Sequence, residues 1–227
     1  GMAAHRKTGS TLPDNVFESA KAADGIILGP AGVTLYPPVS EGGFNLPGSI
    51  RKRLDLFANI RPARSRAFLP RAVPGMDFII VRENTEGEYS SVGGRLFVGT
   101  EREMAQQTST FTKKGCERIM KFAFELAMKR PRKLVTSATK SNGISITMPY
   151  WDERFAAVGK NYPEVKTSQY HIDGLTIQMV LNPQRFDVIV ASNLFGDILS
   201  DLGPAVAGSI GIAPSANINP ERKHPSM

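Results

Sequence analysis

The sequence predicts an α/β fold with a mixed, largely parallel sheet, and three observations support this. Short apolar runs rich in β-branched residues alternate with longer amphipathic runs, which is typical of strands joined by helices. The clearest pair is the run Val188–Ala191, which is too short for a helix, and the helix-compatible stretch that follows it, with Asn193 as a turn or N-cap residue. The composition, 41% hydrophobic and 22% charged over 227 residues, is that of a globular chain with one large or two modest domains.

The first 75 residues predict short elements separated by loops. Pro13 and Asp14 mark a helix start, and the apolar run GIILG at 25–29 favours a short strand. Prolines and glycines then predict a long loop, which Ser49 ends as a helix cap. The elements expected are a helix at 16–23, a strand at 25–29, a loop at 29–48, a helix at 49–56, a strand at 57–60 and an Arg- and Pro-rich connection at 63–75.

Longer elements are predicted in the rest of the chain. A hairpin is expected at 95–111, with strands on either side of Gly99 and Thr100. The helix at 112–129 has a core-facing stripe formed by Cys116, Ile119, Met120, Ala123, Phe124 and Ala127. The other elements expected are strands at 76–82, 133–137, 165–170 and 188–191, helices at 146–159, 173–181 and from 193, a polar turn at 83–88 and a Gly-rich loop at 208–216.

An excess of positive charge, +7 at pH 7, is concentrated between residues 51 and 71. A basic cluster binds nucleic acid or clamps a small polyanion. Because only Phe57 and Phe68 are interleaved as stacking platforms, we favour small carboxylates and expect no nucleic-acid partner. The basic residues concerned are Arg51, Lys52, Arg53, Arg61, Arg64, Arg66 and Arg71.

The single cysteine, Cys116, excludes an internal disulfide and favours a reducing, cytoplasmic compartment. Lys114 and Arg118 could lower the pKa of its thiol, but no histidine lies nearby in sequence, so a catalytic thiol is not favoured. No apolar run approaches the ~20 residues of a membrane span, and no signal-peptide pattern opens the chain. We therefore expect no membrane partner.

Two acidic residues, Asp197 and Asp201, lie four positions apart on the predicted helix that follows the strand Val188–Ala191. Their carboxylates point to one side and repel each other, and no lysine or arginine within a turn offsets the repulsion. Ile198, Leu199 and Leu202 are expected to face the core. Such a pair is either a solvated acidic edge or part of a divalent-cation site with oxygen ligands.

Other groups at predicted strand ends suit carboxylate chemistry. Arginine forks bind carboxylates, a lysine near cations can act as a general base, and a tyrosine can deliver a proton. A hard divalent metal polarises a hydroxyl or carbonyl oxygen. The combination predicts a site for a small hydroxy-carboxylic acid and a metal. Its members are Arg51, Arg61, Arg82, Tyr89, Lys140, Asp173, Asp197 and Asp201.

Five sequence motifs, in order, extend this picture to a family. They are LDLFANIRP at 54–62, IVRENTEGEYSS at 80–91, SATKSNG at 137–143, SNLFGDILSDLGPA at 192–205 and GSIGIAPSANINP at 208–220. Together they resemble the isocitrate/isopropylmalate dehydrogenase family of metal- and NAD(P)-dependent β-decarboxylating dehydrogenases. The second and third motifs, with MPYWDER at 148–154, are most similar to its tartrate/D-malate branch. The resemblance implies an isopropylmalate dehydrogenase-like two-domain fold, incomplete at both termini.

The resemblance implies a role for each matching residue. Tyr89 and Lys140 correspond to the catalytic tyrosine and lysine of the family. The substrate-carboxylate arginines correspond to Arg51, Arg61 and Arg82, and the Mg²⁺ or Mn²⁺ ligands to Asp173, Asp197 and Asp201. The cofactor-binding positions, for NAD, correspond to Asn142, Gly208, Ser209, Gly211 and Asn217.

The implied reaction is oxidative decarboxylation of tartrate or D-malate. Lys140 accepts the hydroxyl proton through a relay as hydride passes to the nicotinamide, carbon dioxide then leaves, and Tyr89 protonates the enol. In the family the lysine and the first aspartate come from the partner subunit, which implies a homodimer with a composite site. A partial nucleotide-side domain is expected at 1–66 plus 208–227, and a metal and dimerisation domain at 67–207 that includes the hairpin arm 95–111.

Three alternatives remain at this point. The activity could be of the 3-isopropylmalate type or of the isocitrate type, or the chain could be a truncated, non-catalytic relative that forms dimers. Isocitrate enzymes carry Ser-x-Asn at the positions where this sequence has Asn45, Leu46 and Pro47, which disfavours isocitrate. The paired leucines expected for an isopropyl group are also missing, which disfavours 3-isopropylmalate. A smaller substrate is therefore preferred.

Overall fold

The computed structural model of the protein describes residues 1–29, 46–69, 73–224 and 226. Its contacts divide the chain into two compact units, one formed by Gly1–Phe57 with Ala216–Met227 and the other by Ala58–Ser215. Most of the predicted loop at 29–48 lies outside the described residues, as do Asn45 of the substrate comparison and Arg71 of the basic cluster.

The first unit is built from short helices around a small apolar core. Its helices are α1 (Met2–Thr8), α2 (Asp14–Ala22) and α3 (Leu46–Arg53), and a short strand, Ala216–Ile218, lies near the end of the chain. The core side chains are Phe17, Ile50, Leu54 and Leu56, with Leu12 and Ile26 packed against them. Arg53 ties α3 to α2 through an ion pair with Asp14 at 3.1 Å and by lying 3.5 Å from the ring centroid of Phe17.

Three sequence predictions for this unit need correction. The run at 25–29 is not a strand, since it has no ladder of hydrogen bonds, and its Ile27 is fully exposed. Apolar composition favours a strand only where a neighbouring strand can pair with it. Met2–Thr8 is helical although the first twelve residues were expected only to be polar, and the helix expected at 49–56 begins and ends three residues earlier.

The second unit contains a mixed sheet of five strands: β1 (Ala58–Arg64), β2 (Asp77–Glu83), β5 (Leu134–Thr139), β6 (Lys166–His171) and β7 (Val188–Ala191). They lie in the order β6-β5-β7-β2-β1. Parallel pairing joins β2 to β7, β7 to β5 and β5 to β6, whereas β1 is antiparallel to β2. The predicted mixed, largely parallel sheet is confirmed.

The helices of this unit pack on the sheet and on one another. The predicted stripe is confirmed: all six of its side chains are buried in α4 (Lys113–Met128), which lies against β2, β7 and α5 (Thr147–Gly159). The last helix, α7 (Asn193–Ala207), packs on β2, β1 and α6 (Ile172–Leu181). Short 3-10 turns lie at Pro183–Arg185 and Ile210–Ile212.

The predicted hairpin is present but shorter and slightly earlier than expected. Its strands are β3 (Gly93–Leu96) and β4 (Met104–Gln107), paired in antiparallel register, and every residue of both is exposed. The strand predicted at 57–60 extends instead to Arg64 and includes Pro62, which a strand accommodates only where the missing N–H is not needed. Within the part of the chain described, we find no helix with the length and apolarity required to cross a bilayer.

Candidate active site

The predicted catalytic groups of the second unit collect at one edge of its sheet. Because β2, β7, β5 and β6 are parallel, their carboxyl ends meet at the same edge. Arg82 lies at that end of β2, Asn193 follows β7, Lys140 follows β5, and Asp173 comes just after β6. Ligand sites in open α/β sheets form at this edge.

Arg82 is the centre of one cluster at this edge. Its side chain is 3% exposed, and its Nε and Nη2 donate to the Asn193 Oδ1 at 3.1 and 2.7 Å. Its Nη1 donates to one carboxylate oxygen of Asp197, and the Tyr89 hydroxyl donates to the other at 2.8 Å. Burial lowers the pKa of Arg82, and the negative charge of Asp197 opposes that shift. Asp197 is thus offset by an arginine after all, one that β2 supplies from 115 residues away.

The close packing of Arg82 depends on a glycine. A Cβ added at Gly196 would lie 2.6 Å from the Arg82 Cβ and Cγ, and 3.1 Å from its Cα. Any side chain at this position of α7 would therefore push the helix away from β2 or displace Arg82.

The turn after β2 fastens the first turn of α7. Ser192, rather than the expected Asn193, is the N-cap residue, and its side chain does not cap the helix. Instead the Glu88 carboxylate accepts a hydrogen bond from the Leu194 backbone N–H at 3.0 Å and one from the Ser192 hydroxyl at 2.6 Å. The Asn193 amide donates to the Glu86 backbone carbonyl at 2.8 Å. Sequence reasoning missed Glu88 and the contact of Asn193 with Arg82. For Glu88 the only signal was the number of polar residues in the turn.

The two aspartates of α7 differ in their surroundings. The Asp197 side chain is 40% exposed and lies beside Arg82, whereas Asp201, one turn further along, is exposed. Leu199 is buried as expected, but Ile198 is 47% exposed, so its predicted place in the core is wrong. The core-facing stripe of the helix passes through Phe195, Leu199 and Gly203, which leaves Ile198 at its side.

Lys140 and Asp173 form a second cluster at the same edge. The Lys140 Nζ donates to the Asp173 carboxylate at 2.9 Å, and this hydrogen bond lowers the pKa of Asp173. Asp173 lines an open cavity of about 470 Å³. The other lining residues are Thr139, Ser141, Asp152, Gln169, Tyr170, His171 and Gly174.

Arg61 lies close enough to Arg82 to lower the pKa of Arg82 by repulsion, and its Nε donates to the Asn59 Oδ1 at 3.0 Å. Asn142 is exposed in the turn that follows β5. Arg51, on α3, and Asn217, on the terminal short strand, belong to the first unit.

The Gly208–Gly211 part of the predicted cofactor set lies at the far end of α7. Gly208 ends this helix with a φ of 106°, a conformation that favours glycine. It follows Asp197 by eleven residues, which is about 16 Å along a helix. Ser209 lines a cavity of about 350 Å³ with Arg64 and Asp77, at the opposite ends of β1 and β2 from Arg82. Contacts to a cofactor there would involve a part of the ligand far from Asp197.

The aspartates of α7 are residues of the chemical type that binds a hard divalent cation. Asp197 and Asp201 offer carboxylate oxygens on one side of α7, which are the ligands that Mg²⁺ and Mn²⁺ prefer. Among the described residues of this one chain, no three such ligands lie together, and the Asp173 carboxylate accepts a hydrogen bond from Lys140. A site that uses all three aspartates therefore needs more than one copy of the chain or a rearrangement.

Comparison with known proteins assigns the family. The family model for isocitrate/isopropylmalate dehydrogenases matches residues 1–226. The chain belongs to the isocitrate/isopropylmalate dehydrogenase family. The resemblance inferred from the five motifs is thereby confirmed, as is the isopropylmalate dehydrogenase-like fold class.

Two curated relatives resemble this chain to nearly the same degree in sequence. D-malate dehydrogenase (decarboxylating) of Escherichia coli is 52% identical and tartrate dehydrogenase/decarboxylase of Pseudomonas putida 53% identical, each over 96% of this chain. The chain spans 62% of the length of each. Among solved structures, isocitrate dehydrogenase from Methylococcus capsulatus aligns with a TM-score of 0.85 and 37% identity, over 97% of this chain and 64% of that chain.

Proposed function

We propose that the protein catalyses the oxidative decarboxylation of a small 2-hydroxy dicarboxylic acid, D-malate or tartrate, with NAD and Mg²⁺ or Mn²⁺. The observation that carries this proposal is the cluster of Arg82, Asp197 and Tyr89 at the carboxyl edge of the sheet. It combines a buried cation, a partly exposed carboxylate and a proton donor. The names of the relatives from Escherichia coli and Pseudomonas putida favour these two substrates.

Arginines bind and orient the substrate in this proposal. Arg82 and Arg61 lie on adjacent antiparallel strands, where Arg82 faces Asn59 and Arg61 faces Ile80 in the register. Two guanidinium groups at such spacing suit a dicarboxylate, since each can hold one carboxylate by a bidentate fork. Arg51, on α3 of the first unit, is the third arginine to which the family resemblance assigns this role.

Lys140 and Tyr89 handle the protons. Lys140 takes up the proton of the substrate hydroxyl through a relay, and its present partner, Asp173, keeps it next to an acceptor. Tyr89 donates a proton to the carbon that loses carbon dioxide, and its O–H now points at Asp197. Asp197, Asp201 and Asp173 are the residues that would hold a divalent cation, which would supply Lewis-acid polarisation. Asn142, Gly208, Ser209 and Gly211 are the positions of the second unit that would hold NAD, which would supply the hydride acceptor.

A homodimer would complete the site. The aliphatic side chains Ile177, Val180 and Leu181 of α6 are 55%, 54% and 67% exposed, and Ile198 of the adjoining α7 is 47% exposed. Large exposed apolar patches mark interaction surfaces. The hairpin of β3 and β4 is exposed throughout, and an isolated two-stranded hairpin is marginally stable in water. Both features favour a second copy of this chain as the partner, with the hairpin as its arm.

The decisive experiment measures NADH formation by the full-length protein with D-malate, tartrate, 3-isopropylmalate and isocitrate, with and without Mn²⁺. We expect turnover that needs the metal and is highest with D-malate or tartrate. Replacement of Tyr89 by Phe should lower kcat by roughly 10²–10⁴-fold, the usual contribution of a general acid. An absence of turnover on all four acids would reject the proposal.

A further inference from the structure

We propose that Asn193 is a positioning residue that fixes the orientation of Arg82 for substrate binding without adding a second negative charge beside Asp197. This inference rests on the proposed function for its substrate, but the orientation of Arg82 can be tested without turnover. Asn193 is neither a predicted metal ligand nor a predicted substrate contact, and it is fully buried at the first position of α7.

The contacts of Asn193 fix the guanidinium plane. One oxygen, Oδ1, accepts from both Nε and Nη2 of Arg82, at 3.1 and 2.7 Å, so rotation about the end of the arginine side chain is blocked. This leaves the Nη1 side to face Asp197, which is the partly exposed end of the cluster. The position of Oδ1 is in turn set by the Asn193 Nδ2, which donates to the Glu86 carbonyl at 2.8 Å.

The backbone around Asn193 is tightly confined. A Cβ at Gly87 would lie 3.2 Å from the Asn193 Cβ, and the Glu88 carboxylate holds the residues on either side, Ser192 and Leu194. Asn193 therefore has little freedom to move away from Arg82. The polar turn after β2 thus restricts the movement of the Asn193 side chain.

The chemistry of an amide explains why this position is not a carboxylate. An aspartate oxygen could accept the same two N–H groups, but it would form an ion pair and reduce the positive potential available to a substrate carboxylate. A neutral acceptor satisfies the buried donors, as their burial requires, and cancels no charge. Asn193 thus separates the two tasks of holding Arg82 and neutralising it.

Two substitutions separate these tasks. Asn193→Ala removes the acceptor, so Arg82 should lose its fixed orientation. Asn193→Asp keeps the acceptor and adds a charge, so Arg82 should stay in place but bind a carboxylate less well. The matched control is Asn161→Asp, which adds the same charge at an exposed turn after α5.

The first readout is the ¹⁵N–¹H signal of the Arg82 Nε–H, assigned by its loss in Arg82→Lys. A buried, hydrogen-bonded Nε–H exchanges slowly, so the signal should be present in the unmodified protein and in Asn193→Asp, and absent in Asn193→Ala. A signal that persists unchanged in Asn193→Ala would overturn the inference. This readout does not depend on the proposed function, whose failure would appear separately as absence of turnover in the unmodified protein.

The second readout is steady-state kinetics with D-malate or tartrate. Asn193→Asp should raise KM by about tenfold or more, the size of one weakened charge-assisted hydrogen bond, with a smaller change in kcat. Asn161→Asp should leave both constants within twofold. If Asn193→Asp only lowers the melting temperature and leaves KM unchanged, Asn193 is merely structural and the proposal is wrong.

Discussion

Arg82 shows how burial of one residue constrains its neighbours. Removal from water lowers the pKa of its guanidinium, but an arginine remains protonated near neutral pH, so the charge has to be met by hydrogen bonds. Asn193 and Asp197 supply them. Leaving a buried N–H donor without an acceptor costs about 1–3 kcal/mol, more than the contribution of about 0–1 kcal/mol that is typical of a surface ion pair. The stability of this part of the molecule and its proposed substrate site therefore depend on the same contacts.

Gly196→Ala should destabilise the protein, because the added Cβ would lie 2.6 Å from two atoms of Arg82. Overpacking of this kind costs about 1–3 kcal/mol, which calorimetry would register as a melting temperature lower by roughly 2–4 °C per kcal/mol. The control is Gly174→Ala on α6, where an added Cβ meets nothing within 4 Å. Alanine is the better helix former, so this variant should melt at the same or a higher temperature. Equal melting temperatures for the two variants would contradict the close contact.

Cys116 should be unreactive in the folded protein. Burial, followed by the nearby charges of Glu86 and Glu83, raises the pKa of its thiol to about 12, and the side chain is fully buried. Titration with a thiol reagent at pH 8 should therefore label it only after denaturation. Rapid labelling without denaturant would show the account to be wrong.

The same shift fixes the sign of a pH effect on stability. The folded protein favours the protonated thiol, so this contribution is complete below the ordinary pKa of 9.0 and is lost as pH rises toward about 12. Denaturant unfolding of the protein and of Cys116→Ser, compared between pH 8 and 10, checks it. Between pH 8 and 10, the unmodified protein should lose the part of its free energy of unfolding that comes from the protonated thiol, and Cys116→Ser should not.

At the scale of elements, the beginning of α7 is held by a residue from another segment. The helix has no side-chain cap of its own, and the orphan N–H of Leu194 is satisfied by Glu88. A carboxylate at a helix N-terminus also interacts favourably with the helix dipole. Because Asp197 lies one turn further on, the capping turn determines where the proposed metal ligand stands.

Glu88→Ala should loosen this end of α7. Loss of a cap costs about 0.5–2 kcal/mol, so the urea midpoint should fall, and amide exchange of the first turn of the helix should quicken. Glu101→Ala, at an exposed position of the hairpin, serves as the control and should change stability by less than about 0.5 kcal/mol. Unchanged exchange at Leu194 in Glu88→Ala would exclude the capping role.

At the scale of the whole molecule, α6 has an aliphatic side, formed by Ile177, Val180 and Leu181, that is exposed rather than packed in a core. Burial of a large aliphatic side chain is worth about 1.5–3 kcal/mol, so covering several of them would help to stabilise a dimer. The proposed division of labour, with Lys140 and Asp173 acting in the site of the other copy, would also make activity depend on association.

Val180→Glu should weaken the dimer and reduce turnover together, because it places a charge in the proposed interface. Val180 is 54% exposed on α6, and the control Val16→Glu makes the same change on α2, where the side chain is 48% exposed. Sedimentation velocity at several protein concentrations measures the association. A dimer that persists in Val180→Glu with full activity would place the interface elsewhere.

Prediction from sequence succeeded where the information is local and repeated. The stripe of α4 requires only helical spacing, and Val188–Ala191 is apolar, β-branched and too short for anything but a strand. It failed at 25–29, because an apolar run becomes a strand only through pairing, and at Ile198, because the width of a buried helix face depends on what packs against it.

By itself, the sequence determined the α/β class, the order of the main elements, and, through five ordered motifs, membership of the isocitrate/isopropylmalate dehydrogenase family. Only the tertiary structure decided which groups meet. It brought Arg82 to Asp197 across 115 residues and made Asn193, which had been expected only to cap a helix, the acceptor that holds the arginine. The reason is physical: periodicity encodes which side of an element is buried, whereas the order and direction of strands in the sheet decide which side chains share an edge.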